Sequence, residues 1–166
     1  MRVFQEEQKM NQIWIKVALG IALIVTFIPI VKNWNVISLQ SSFVQFKNFL
    51  GPIIVLLVFF LIERITLKTR IDEHGISYQY FPFHWTFKTI KWNEIKLTSI
   101  RKYNAISEYG GWGIRVGFLT KKGKAFTTCG SIGLQLILKN GKKILIGTHK
   151  KEELNKALEL YKNKLT

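Results

Sequence analysis

The chain has 166 residues, 48% of them hydrophobic, and carries 25 Lys and Arg against 10 Asp and Glu, a formal net charge of +15. That length holds one ordinary domain plus a short appendage, and a single cysteine, Cys129, excludes an intramolecular disulfide. The charge favours anionic partners, which leaves nucleic acid or an anionic membrane face.

The first strong pattern is the apolar run Ile13–Val31, IWIKVALGIALIVTFIPIV, with Lys16 as its one charge. As a helix it spans about 28 Å, close to the hydrocarbon thickness of a bilayer. Lys16 lies near the start, where its stem reaches the headgroups. Trp14 and Trp34 bracket the run as interface anchors. Glu6 and Glu7 before it and Lys32-Asn33-Trp34 after it fit a span better than a cleaved signal. A second run, Phe49–Ile62, extends backward through Phe43, Val44 and Phe46, so the spacing predicts a second span over about 43–63, with Pro52 in its first turns. The connection is short, and the two helices form an antiparallel hairpin within residues 1–64. Arg2, Lys9, Lys16, Arg64, Lys68 and Arg70 flank the hairpin, against only Lys32 and Lys47 in its loop. This bias puts both termini in the cytoplasm, with residues 65–166 as a cytoplasmic domain.

From Ile65 the period changes to two. Ile76, Tyr78 and Tyr80 alternate with Ser77 and Gln79; Trp112, Ile114, Val116 and Phe118 alternate with Gly113, Arg115 and Gly117. Strands are expected near 65–71, 75–81, 85–91, 95–103, 112–119, 124–129, 132–139 and 142–148. Asp72–Gly75, Lys121–Lys124 and Asn140–Lys142 supply the turns. A helix closes the chain, with Thr148 as its N-cap, Glu152 and Glu153 at its start, and a stripe of Leu154, Leu158, Tyr161 and Leu165. The expected fold is thus a transmembrane α-hairpin plus a mainly-β domain, an antiparallel barrel of 7–8 strands closed by a C-terminal α-helix.

Four segments carry a family resemblance: Asp72–Ile76, Ile90–Ile95, Asn140–Thr148 and, the most specific, Glu108-Tyr109-Gly110-Gly111-Trp112-Gly113-Ile114-Arg115. Over most of its length the chain resembles bacterial membrane proteins with an N-terminal two-helix hairpin and a pleckstrin-homology-like domain. The resemblance implies that barrel fold and a bacterial cytoplasmic membrane location, and it implies no activity. Phosphoinositide-binding members of the wider fold place several Lys and Arg across the first two strands. Here Lys68 and Arg70 precede the first turn, and residues 75–85 contain neither.

The glycine-rich stretch nearly matches a dinucleotide fingerprint, but its last spacing is one residue too long and it precedes a strand rather than a helix. A turn with glycines of positive φ, followed by a strand face open to close approach, explains it better. Arg115 either pairs with Glu108 or Glu94 or holds a ligand's anion, which makes Tyr109, Trp112 and Arg115 the candidate ligand-binding residues. His74, His84, His149 and Cys129 share no metal-ligand spacing, so no metal, cofactor or catalytic group is expected. Lysines at the hairpin tips, Lys121, Lys122, Lys124, Lys142 and Lys143, form a basic surface. Counting strands out and back from the hairpin puts these tips on the far side of the domain. The same count puts the aromatic corner of Phe81, Phe83 and Trp85 against the headgroups. Nucleic acid is disfavoured, because the aromatics are needed in the core. The expected function is a non-enzymatic, membrane-anchored binding or scaffold module for a protein partner or anionic lipid. The alternative is a membrane-bound enzyme or small-ligand receptor with a pocket near Tyr109, Trp112 and Arg115.

Overall fold

The computed structural model describes residues 3–117 and 123–164. The chain divides into two compact units, one of Asn11–Arg64 and one that joins Met1–Met10 to Ile65–Thr166.

The first unit is helical. α1 covers Ile13–Lys32, α2 is a single turn at Trp34–Ile37, and α3 covers Ser42–Arg64. α1 and α3 pack together and are each long and apolar enough to cross a membrane. Apolar side chains are exposed along both, including Ile21, Ile24, Leu57 and Phe60, as a lipid solvent permits. Lys16 does not reach outward alone. Its Nζ lies 2.7 Å from the Glu63 carboxylate at the matching end of α3, which offsets the cost of a charge beside an apolar helix. Pro52 lies well inside α3 rather than in its first turns, because the helix begins at Ser42; its ring is buried. Trp14, in the first turn of α1, and Trp34, at the start of α2, are both exposed.

The second unit is mainly β. Four strands form an antiparallel sheet in the order β1 (Phe4–Lys9), β2 (Thr66–Ile71), β3 (Gly75–Phe81), β4 (Lys88–Lys91). A 3₁₀ turn at Trp92–Glu94 leads to β5 (Ile95–Lys102), and a short helix, α4 (Ala105–Tyr109), follows it. The remaining strands are β6 (Gly113–Gly117), β7 (Gly123–Thr127), β8 (Ile132–Leu138) and β9 (Lys143–Gly147). They form a second sheet with β5 in the order β5-β8-β9-β7-β6. The chain ends in α5 (Lys151–Leu160).

Two expectations change here. The strands do not close into a barrel: β4 and β5 share a connection but no ladder, and the sheets remain two. The second sheet is also mixed rather than antiparallel. The β8–β9 hairpin lies between β5 and β7, so β7 and β9 run parallel, with Lys124 opposite Ile144 and Phe126 opposite Ile146. The core joins Leu67, Ile71, Ile76 and Tyr80 of the first sheet with Leu134, Leu136, Leu145 and Ile146 of the second. α5 adds Leu154, Ala157 and Leu158, the heart of its apolar stripe, and Tyr161 stacks on Trp92 at 5.2 Å.

A third difference is β1, which the hydrophobic pattern does not announce. Its residues alternate in burial, but Glu6 and Gln8 face inward beside Phe4. Polar side chains are tolerated there because each is bonded. Glu6 accepts from the Thr148 hydroxyl at 2.6 Å and from the His149 backbone N–H at 2.7 Å. Gln8 donates to the Gly147 carbonyl at 2.8 Å and accepts from the Thr128 hydroxyl at 3.1 Å. Thr148 is therefore not the N-cap of α5. Its hydroxyl accepts the Lys150 N–H at 3.1 Å, and Lys150 occupies the cap position without a side-chain cap bond.

Candidate functional site

The glycine-rich stretch folds as helix, left-handed turn and strand. The Asn104 side chain caps α4 by accepting from Ile106 and Ser107 N–H at 3.1 and 3.0 Å. Gly110 ends it at φ 73°, a conformation that disfavours any side chain. Tyr109 is buried with Tyr103, Ala125 and Leu145, and Trp112 packs over that small cluster. Burial pushes the Tyr103 hydroxyl up to about 12 and raises Tyr109 as well. The ion pair of this region belongs to Arg101, whose guanidinium lies 3.0 Å from Glu108 and also donates to the Tyr109 hydroxyl at 3.1 Å. Glu94 instead accepts the Lys91 backbone N–H at 3.0 Å. Arg115 is exposed; its Nε donates to the Trp112 carbonyl at 3.2 Å, and among the described residues no carboxylate pairs with it. Close approach is not what Gly113 serves, since a Cβ there would meet only the Tyr80 hydroxyl, at 3.9 Å. The three candidate ligand residues are thus split: Tyr109 is core, Trp112 covers it, and Arg115 faces solvent.

The aromatic corner has a defined place in its sheet. Phe81 stands opposite Thr66, and Thr66 opposite Lys9. The Met10 N–H donates to the Ile65 carbonyl at 3.1 Å, so the corner lies at the sheet end where the chain leaves for Asn11 and returns at Ile65. Phe83 is 57% and Trp85 80% exposed, whereas His84 turns inward against Tyr78 and Phe126, and burial lowers its pKa. Of the basic tips, Lys121 and Lys122 lie outside the described residues. Lys124, Lys142 and Lys143 are exposed, and the parallel ladder brings the start of β7 beside the start of β9.

Two features escaped the sequence reading. The first is a groove of about 450 Å³ between β5 and α5, lined on one side by Lys96–Ile100 and on the other by Asn155, Leu158, Glu159 and Lys162. Among the described residues β5 has β8 on one side and no strand on the other, so its second edge presents backbone donors and acceptors that no sheet ladder uses. Leu97, half-exposed at 52%, gives the groove an apolar floor. The second is a pair formed by Cys129 and His149, with Sγ 3.2 Å from Nε2. Their separation of 20 residues is that of the β7–β9 register, which continues past both strand ends. Among the described residues, no group of three His, Cys, Asp or Glu side chains is placed to hold a metal ion.

No family model, no curated protein and no solved structure matches the chain.

Proposed function

We propose that this chain is a non-enzymatic, membrane-anchored binding module whose β unit takes an extended segment of a partner protein along β5. The two apolar helices cross a bacterial cytoplasmic membrane as a hairpin, with both termini cytoplasmic. The Lys/Arg bias supports that orientation. Backbone bonding of Met10 to Ile65 supports an even number of crossings, since the chain leaves and re-enters the β unit at one place. Two sheets followed by a C-terminal helix agree with a pleckstrin-homology-like unit in element order, although not in closure.

The observation that carries the proposal is the β5 groove. An extended peptide added to a free sheet edge gains main-chain hydrogen bonds, and pockets beside the edge select its side chains. Lys96 and Lys162 flank the groove in a chain of net charge +15, which favours an acidic segment. The alternative, a small-ligand pocket at Tyr109, Trp112 and Arg115, has less support because these side chains do not converge. The phenol is part of the core and the guanidinium is bonded to its own backbone.

The test is photo-crosslinking in intact cells from a benzophenone side chain placed at Ser99 of the full chain. The expected product is one dominant protein adduct mapped to a single acidic segment, lost when Leu97→Asp is added. Adducts to lipid alone, or a protein adduct indifferent to Leu97→Asp, would overturn the reading.

A further inference from the structure

We propose that Cys129 and His149 form a nucleophile–base pair on the β unit, and that the Cys129 thiol is a site of covalent oxidation by small peroxides. A cysteine kept for packing sits among apolar side chains and is inert. Cys129 is only partly buried, His149 is exposed, and Nε2 stands 3.2 Å from sulfur, within reach for proton transfer. Sγ also lies within hydrogen-bonding reach of the Thr128 hydroxyl at 3.8 Å and the Lys9 carbonyl at 4.0 Å.

The backbone is arranged to hold the imidazole there. Gly130 adopts φ +79°, and a Cβ at that position would come within 3.2 Å of His149 Cε1. Glycine therefore leaves the space that the ring occupies. Its carbonyl is held by the Trp112 indole N–H at 3.0 Å, and the His149 backbone N–H is held by Glu6. The titratable groups around the pair are Glu6, Tyr80 and Tyr103; burial raises both phenols, so they stay neutral through the range in which a thiol ionises. Lys150, next in the chain, is turned to Glu153 at 2.9 Å.

The chemistry follows from these groups. His149 Nε2 takes the Cys129 proton, and the thiolate attacks one oxygen of the peroxide. The S–O bond forms as the O–O bond breaks, and the departing hydroxide takes the imidazolium proton and leaves as water. Sulfur loses two electrons to the peroxide and becomes a sulfenic acid. The sequence holds no second cysteine. A low-molecular-weight thiol therefore resolves the product: its sulfur bonds to Cys129, and the hydroxyl leaves as water, giving a mixed disulfide.

The experiment uses the full chain in phosphatidylcholine nanodiscs, hydrogen peroxide as the probe, and dimedone capture of the sulfenic acid read by intact mass. Rates are taken from pH 5.5 to 9 for the wild type, His149→Ala and His149→Gln. Because Glu6 is bonded to the peptide N–H of residue 149 and not to its ring, both variants keep that contact, and amide exchange in β9 checks the fold. The wild type should be trapped faster than both variants, with a deficit of about tenfold in each variant at pH 6.5. Superimposable pH profiles for the three proteins would overturn the pairing. A wild type that iodoacetamide alkylates rapidly but peroxide leaves unchanged would overturn the oxidation.

Discussion

β1 and β3 belong to one sheet and face the same core, yet different forces hold them. β3 presents Ile76, Tyr78 and Tyr80, all nearly inaccessible, to the second sheet. β1 presents Phe4, and then Glu6 and Gln8, which are bonded to Thr128, Gly147, Thr148 and His149. Apolar burial is non-directional and forgiving, so β3 tolerates small shifts. A buried carboxylate is specified by its donors and strongly penalised if they move. β1 is thereby tied to one register, which suits the strand that hands the chain to the helical unit.

Substitutions should separate the two modes, and the largest effect belongs to the apolar strand. Tyr80→Ala removes a fully buried ring and its hydroxyl bond to the Thr127 carbonyl, and should cost about 3–5 kcal/mol, read from denaturant midpoints of the full chain in micelles. Glu6→Ala leaves the Thr148 hydroxyl and the His149 N–H unpaired and should cost about 2–4 kcal/mol, whereas Glu6→Gln keeps an acceptor and should recover about half of that loss. Equal losses for Ala and Gln would mean that β1 is held by packing after all. A pH titration gives the next effect. Burial raises the Tyr103 hydroxyl to about 12 in the folded chain against an ordinary value of 10.0, so the folded state retains a proton that the unfolded chain loses. That contribution is complete below pH 10 and is lost as pH rises toward about 12; Tyr103→Phe should flatten the fall in this window. The smallest effect is expected at the exposed corner. Trp85→Ala should leave the unfolding midpoint within about 0.5 kcal/mol of the wild type.

The same contrast explains what the sequence disclosed. Strands β2, β3, β8 and β9 and helix α5 were legible from periodicity, because their burial is written in residue type, and α1 and α3 from the length of their apolar runs. β1 was not, because FQEEQK alternates in burial without alternating in hydrophobicity. Its signal is an acidic and an amide side chain two apart, which gains meaning only once their donors, 120 to 143 residues away, are in place. The open pair of sheets was hidden for a related reason. Hairpin signals report neighbours in sequence, whereas the parallel contact of β7 with β9 joins strands that have β8 between them. The same contact brings Cys129 to His149 and so removed that pair from any spacing-based search. Arg115 was read as pairing with Glu108 or Glu94 or as holding a ligand's anion; Arg101, at the end of β5, reaches Glu108, and Glu94 accepts the Lys91 N–H.

The hydrogen bond between Met10 and Ile65 has a constructional consequence. Residues 11–64 begin and end at the mouth of a single β-hairpin, so the helical unit is a loop inserted in the β unit and not a tail appended to it. A loop can be exchanged. Joining Met10 to Ile65 through an Asn-Gly turn, which suits two strands in antiparallel register, would leave the nine strands of the described residues with their present neighbours. The product would be the β unit without its two apolar helices, in which the groove and the thiol could be studied on their own.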